Sequence, residues 1–174
     1  QRAGGVTFAI ASGAILPTIL PVQKKNGSSD AKEISAWVHI SPDDQVTIFN
    51  PAAEMGQGSM TALAIIIAEE LDIDWDKVNI KDSPIQPETY GLTWGGKLGG
   101  SMITVGSRTV RGYYHALRLA GAQARKTLLK SVADGLDLPL EEWTTDQGMA
   151  YHKLSGRTFS YGQIVSKFSI PEKL

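Results

Sequence analysis

Residues 54–58 read EMGQG, and an apolar run at helical spacing follows at once. Leu63, Ile66, Ile67 and Leu71 recur on one stripe and alanine and glutamate fill the positions between, so the spacing predicts a helix over Ser59–Leu71. Ile65 lies off that stripe, which predicts burial of the helix on more than one side. In front of the glycines, AWVHI (36–40) alternates and is rich in β-formers, PDDQ is a turn, and VTIF (46–49) completes a hairpin. Behind the helix, VNIKD (78–82) reads as a strand. The result is a β-turn-helix-β unit whose turn is held by glycine. A chain built around such a unit is α+β, with a small sheet and two main helices packed on it.

The second helix is predicted over Ser107–Ala133, with Val110, Tyr114, Leu117, Gly121, Ala124 and Leu128 on one face. Between the two helices, Ser83–Gly106 carries two prolines and six glycines and reads as a long loop, which inside a compact domain is a functional feature or a disordered one. WTTDQGMAYHK (143–153) reads as a hairpin turning at Asp146–Gly148. SYGQIVSKF (160–168) reads as a short helix with Ser160 as its N-cap.

Composition removes several function classes. Hydrophobic residues at 42% and charged residues at 20% fit a folded globular chain. A net charge of −1 gives no global field for nucleic acid or an anionic membrane. The absence of cysteine excludes disulfides, thiolate metal sites and a cysteine nucleophile within this sequence. His39, His115 and His152 lie far apart and show no HxxxH spacing.

The first residues form a separate segment. Residues 1–23 hold one early arginine and an apolar run from Val6 to Val22, broken at its far end by Pro17 and Pro21. That run is short for a membrane-spanning helix. It reads as a hydrophobic export-signal remnant, or as an apolar arm packed on the domain or on a partner. Residues 24–35 are polar, contain Gly and Ser, and read as a linker into a domain over 36–170.

Two glycine-to-helix junctions carry the chemistry. At EMGQG, Gly56 and Gly58 let the backbone approach a bulky ligand, and Gln57 presents a donor and an acceptor together. At VGSRTVRG (105–112), Gly106 permits close approach, Ser107 and Thr109 supply hydroxyls, and Arg108 can bind phosphate bidentately. The start of each helix offers unpaired N–H groups and a partial positive charge. Neither junction matches GxGxxG or GxxxxGK[ST]. The residues fit a site for a polar heterocycle or phosphate, and they also fit two capped helices joined by ordinary loops.

Taken in order, AWVHI, AEMGQGSMTALAIIIAEEL, DWDKVNI, the glycine-rich loop and VGSRTVRG resemble the molybdopterin-binding large subunits of the xanthine oxidase family. The resemblance runs from about Ala36 to Lys167 and lies with the branch of the isoquinoline 1-oxidoreductase β subunit and periplasmic aldehyde dehydrogenases. It implies one molybdopterin-binding-type domain with molybdenum held by molybdopterin cytosine dinucleotide. It implies oxidation of an aldehyde or aromatic N-heterocycle with water-derived oxygen, and electrons leaving to 2Fe-2S clusters in a partner subunit. By the same resemblance Gln57 bonds the cofactor near the molybdenum, Gly56 and Gly58 allow the approach, and Gly106, Ser107, Arg108 and Thr109 line the pterin or its phosphates. No residue of this chain ligates the metal directly. The glutamate base of the family and a GGGFG-type motif are not found here, so no catalytic residue is assigned and the isolated chain is expected to be inactive. The expected partners are the remainder of a large subunit, an iron–sulfur small subunit, and a cytochrome or other electron acceptor, with no nucleic acid. The expected location is the periplasm, reached by the twin-arginine route. The competing reading is a non-catalytic module that binds a nucleotide, a pterin or a partner.

Single residues carry further expectations. Glu54 is expected to cap or salt-bridge rather than catalyse, and Met55 to sit in the core. His39 is expected to be structural or exposed, His115 packed, and His152 at the surface. Trp94 walls a substrate funnel or anchors its loop. The arginines of the second helix form a solvated face or meet a partner subunit.

Overall fold

The computed structural model describes residues 5–11, 14–20 and 37–170. Two strands, β1 (Gly5–Ala11) and β2 (Ala14–Leu20), form an antiparallel hairpin. β3 (Val38–Ile40) pairs with β1 on one side and with β4 (Val46–Asn50) on the other, both antiparallel. Within the segment read as an export remnant or an apolar arm, Gly5–Ala11 and Ala14–Leu20 therefore extend the main sheet. The linker of residues 24–35 lies outside the described residues.

The hairpin between β3 and β4 forms as its sequence requires. Val38, Ile40, Val46 and Ile48 alternate with outward residues and are buried. Asp44 takes the left-handed conformation the turn needs, and Ser41 closes it through bonds to Gln45 and Asp44. Helix α1 (Ser59–Leu71) then crosses the sheet, and β5 (Val78–Asp82) returns parallel to β4. The five-stranded order is β2-β1-β3-β4-β5. The long loop is not featureless. It contains α2 (Pro87–Tyr90), a single turn started by proline, and a tight crossing at Leu92.

Helix α3 runs over Thr109–Leu136, three residues beyond the expected end. Leu117, Gly121, Ala124 and Leu128 are buried as expected, whereas Val110 and Tyr114 are exposed and Thr109 and Tyr113 are buried instead. α3 packs on α1 at Gly121, where an added Cβ would lie 2.5 Å from the Ile67 carbonyl and 2.8 Å from the Glu70 Cβ. Ile65 is 42% exposed, so α1 is buried on one side only among the described residues.

A second, three-stranded sheet follows, with β6 (Trp143–Asp146), β7 (Met149–His152) and β8 (Thr158–Ser160) all antiparallel. The single small sheet of the sequence reading thus becomes two, within the same α+β class. Helix α4 (Tyr161–Lys167) closes the chain with a capping box between Ser160 and Gln163. His152 is not at the surface. It is 3% exposed, because it faces the same side of β7 as the buried Ala150. His115 is exposed and meets only the edge of Tyr114 among ring contacts.

Asp72 joins the two halves of the fold. It ends α1 in a left-handed conformation, accepts from Thr145 Oγ1 at 2.6 Å, and its carbonyl accepts from Gly148 N at 2.7 Å. One residue back, the Leu71 carbonyl accepts from Tyr161 Oη at 2.8 Å. Tyr161 is buried, so Tyr161→Phe leaves that carbonyl short of its partner inside the core. The expected loss is about 2 kcal/mol of stability in urea unfolding, with an unchanged denaturant slope.

Candidate functional site

The two glycine junctions are separated by some fifty residues in sequence, and the fold brings them side by side. Gln57, Gly58 and Ser59 at the start of α1 line one groove with Gly106, Ser107 and Thr109 at the start of α3. The groove has a volume of about 460 Å³, and Met55, Val105 and Val110 form an apolar rim. Met55 is 69% exposed, contrary to the expected core position, because the turn it belongs to projects over the groove. Thr104 Oγ1 accepts from Ala53 N at 2.9 Å and fastens the two junctions together. Thr104 was missed in the sequence, where nothing marks a threonine two residues before a glycine.

EMGQG is shaped by its own carboxylate. Glu54 Oε1 accepts from Gly56 N and Gly58 N, both at 2.9 Å, and Oε2 accepts from Met60 N at 3.0 Å. The expected capping role of Glu54 is what the bonds show. Gly56 and Gly58 have φ of 94° and 77°, and an added Cβ at either would meet nothing within 4 Å. Glycine is needed there for the backbone conformation, and the space beside it is left open. Gln57 folds into the turn: its Oε1 accepts from Met55 N at 2.6 Å, and its Nε2 donates to the Ala53 carbonyl and Ser59 Oγ.

The bonds from Met60, Gly58 and Gly56 hold the Glu54 carboxyl below its ordinary value of 4.5. A carboxyl depressed in the folded state contributes fully above its unfolded value, and that contribution is lost as pH falls through the folded one. The turn should therefore stay ordered at neutral pH and loosen only below pH 4.5. In an NMR titration the amides of Gly56, Gly58 and Met60 should move together with a midpoint under that value. Independent midpoints would remove Glu54 as their common acceptor.

The second junction departs from its sequence reading at one residue. Gly106 and Ser107 both take left-handed conformations, with φ of 64° and 51°. These two successive turns send Arg108 inward, where it is 4% exposed. Its Nη2 donates to the carbonyls of Leu92 at 2.8 Å and Ser101 at 3.1 Å, with Ile103 further off at 3.4 Å. Its guanidinium lies 4.7 Å from the centre of the Trp94 ring. Arg108 thus supports the glycine loop from behind and does not line the groove, whereas Gly106, Ser107 and Thr109 do. Tyr113 adds a second support: its Oη donates to the Tyr90 carbonyl at 2.5 Å, and burial pushes its phenol up to about 12 against the opposing charge of Arg108.

Thr109 completes the groove. It is 8% exposed, lines the groove, and makes no hydrogen bond through its hydroxyl among the described residues. The groove therefore offers hydroxyls at Ser107 and Thr109, a glycine backbone on both sides, and an apolar rim for a flat face. This donor set suits a polar heterocycle. A separate hollow beside Ile65 and Trp75, about 340 Å³, touches neither junction. No group of acidic and histidine residues able to hold a metal ion occurs among the described residues.

Residues 5–172 match the molybdopterin cofactor-binding domain family. The chain belongs to that family. It is a molybdopterin-binding portion of the xanthine oxidase family. Its similarity to the isoquinoline 1-oxidoreductase β subunit of Brevundimonas diminuta is 36% identity over 98% of this chain and 22% of that protein. It is 32% identical to a membrane-bound aldehyde dehydrogenase [pyrroloquinoline-quinone] of Gluconacetobacter polyoxogenes, over 94% of this chain and 20% of that one. The chain thus spans about one fifth of the length of these relatives. Among solved structures, quinoline 2-oxidoreductase from Pseudomonas putida 86 superposes with a TM-score of 0.52 at 16% identity, covering 95% of this chain and 16% of that one. The Cu,Mo-CO dehydrogenase superposes with a TM-score of 0.54 at 20% identity, over 73% of this chain and 15% of that one. At these identities the superpositions show a shared fold.

Proposed function

We propose that the groove between the two helix starts is one wall of a molybdenum–molybdopterin pocket in a larger hydroxylase. The observation that supports this is the meeting of Gln57 and Gly58 with Gly106, Ser107 and Thr109 in one groove, whose lining does not include Gly56 or Arg108. The bound group supplies the oxidation–reduction chemistry. This chain positions that group. Gly56 and Gly58 leave room for a flat face, and Ser107 and Thr109 offer hydroxyls to a pterin or phosphate edge. Gln57 Oε1 accepts only one bond within its turn and so keeps a second acceptor position for an N–H of the pterin. Gln57 is thus a ligand of the cofactor beside the metal, and no residue here touches the metal itself.

The cofactor is the cytosine dinucleotide form, and the substrate is an aldehyde or aromatic N-heterocycle oxidised with water-derived oxygen. Two relatives carry the names isoquinoline 1-oxidoreductase and aldehyde dehydrogenase, and a nicotinate dehydrogenase subunit of Pseudomonas putida is 30% identical over 88% of this chain and 12% of its own length. Electrons leave through a 2Fe-2S subunit to a cytochrome or other acceptor, and the assembly works in the periplasm after twin-arginine export. The chain alone has one wall of the pocket and no base, so it does not turn over.

The test is metal and cofactor analysis of the native complex, with intact masses of every co-purifying chain. Molybdenum equimolar with this chain, pterin, cytosine monophosphate after acid release, and an iron–sulfur polypeptide are expected. Pyrroloquinoline quinone in place of pterin would overturn the cofactor, and a chain purified without partner or molybdenum would overturn the enzyme reading.

A further inference from the structure

The EMGQG turn is not fixed by burial. Every residue from Ala53 to Gly58 is exposed, so hydrogen bonds and its two flanks decide where the turn stands. The bonds of Glu54 and Gln57 run within residues 53–60 and give the turn its shape without placing it against α3. One bond reaches across. Ala53 N donates to Thr104 Oγ1 at 2.9 Å, and no other hydrogen bond joins residues 53–60 to residues 101–110 among the described residues. Gln57 is built onto that same residue: its Nε2 donates to the Ala53 carbonyl at 2.8 Å, and its Oε1 accepts from Met55 N at 2.6 Å. A carbonyl only accepts and a backbone N–H only donates, so these two partners fix which way round the Gln57 amide lies. Thr104, Ala53 and Gln57 thus form one chain of bonds, and both ends of it line the groove.

We propose that Thr104 is a positioning residue for Gln57: through Ala53 it sets how the glutamine stands against the α3 side of the groove and which way its amide faces. The inference rests on the reading of the groove as a cofactor wall. Without the Thr104 hydroxyl, Ala53 N loses its acceptor. Ala53 is exposed, so water takes that place, and the cost falls on the geometry of the turn and not on global stability. The Ala53 carbonyl then shifts with its residue, Gln57 Nε2 keeps only Ser59 Oγ, and the amide is free to turn over. A reversed amide presents a donor where the acceptor stood, and a pterin N–H facing it is left unpaired.

The test has two parts. In the full 174-residue chain, Thr104→Val should speed hydrogen exchange of the Ala53 amide and of the Gln57 side-chain amide about fivefold, the size of one net hydrogen bond. The β4 amides and the urea midpoint should stay in place, and Thr104→Ser should restore both rates. If Thr104→Val does not fold, Thr104→Ala removes the same hydroxyl with less bulk and is read the same way. In the native complex, Thr104→Val should lower molybdenum content about tenfold, and Thr104→Ser should return it. Gln57→Ala should lower it by a similar factor, and the double variant by no more than either alone, because both changes break one chain of bonds. A further loss in the double variant would overturn the proposal. So would Gln57 side-chain protons unmoved by Thr104→Val, a serine variant that does not rescue, or molybdenum lowered by Gln57→Ala but not by Thr104→Val. A loosened Gln57 with molybdenum unchanged in both variants would uphold the role of Thr104 and overturn the groove as a cofactor wall.

Discussion

Replacing Gly121 with alanine is expected to destabilise the protein by about 3 kcal/mol, although alanine is the better helix former. The reason lies in the crossing of α3 over α1. A single Cβ at position 121 would stand 2.5 Å from the Ile67 carbonyl oxygen, 2.8 Å from Glu70 Cβ and 3.1 Å from Leu71 N. Two of these atoms are backbone inside a helix, so no rotamer change relieves the overlap. The helices have to move apart, and the buried layer of Ile67, Leu71, Leu117 and Leu128 opens with them. Helix propensity alone would favour the alanine by under about 1 kcal/mol, so packing decides the sign. Urea unfolding of Gly121→Ala checks this. A variant as stable as the parent would mean that the two helices are not in contact at this point.

Local periodicity was enough to place the hairpin of β3 and β4, the helix α1, the hairpin of β6 and β7 and the cap at Ser160. Each is specified by residues close in sequence. The α3 face was read correctly only where the helix meets its neighbours in mid-length. Val110, Leu117 and Ala124 with Tyr114, Gly121 and Leu128 form a strict seven-residue repeat, and an unbent helix rotates by about 20° per heptad relative to such a repeat. At its first turn the buried side has moved to Thr109 and Tyr113, and Val110 is left to rim the groove.

The site was legible to the same degree. Glycines before helices point to a close approach, and both junctions do meet. The inward turn of Arg108 was not legible, because it depends on Ser107 taking a left-handed conformation that serine rarely adopts. His152 was readable in principle. The hairpin register sets it opposite the buried Trp143, so the parity of β7 turns it inward, where Glu142 and Ser155 occupy its two ring nitrogens.

The groove depends on a part of the loop that has no polar chemistry of its own. Gly91 and Gly100 touch backbone to backbone where the loop crosses itself. A Cβ at Gly91 would overlap the Gly100 carbonyl, and one at Gly100 would overlap the backbone of Leu92 and Thr93. Around this crossing, Leu92 N donates to the Ser101 carbonyl, Gly99 N to the Gly91 carbonyl, and Thr93 N to the Lys97 carbonyl. Arg108 then binds Leu92 and Ser101 from beneath. Gly100→Ala displaces the Leu92 carbonyl, so the crossing and its arginine support fail together. Thr104 and Val105 lie three and four residues beyond Ser101, and the groove wall they carry loses its position. The expected outcome is a folded protein in which the amides of Leu92, Thr93 and Gly99 lose hydrogen-exchange protection while those of β4 keep it. In the native complex the same substitution should lower molybdenum content about tenfold, in line with the effect of removing supports behind a ligand shell. Unchanged metal content with an open loop would show that the cofactor is held without this wall, and the groove would then lose its place in the pocket.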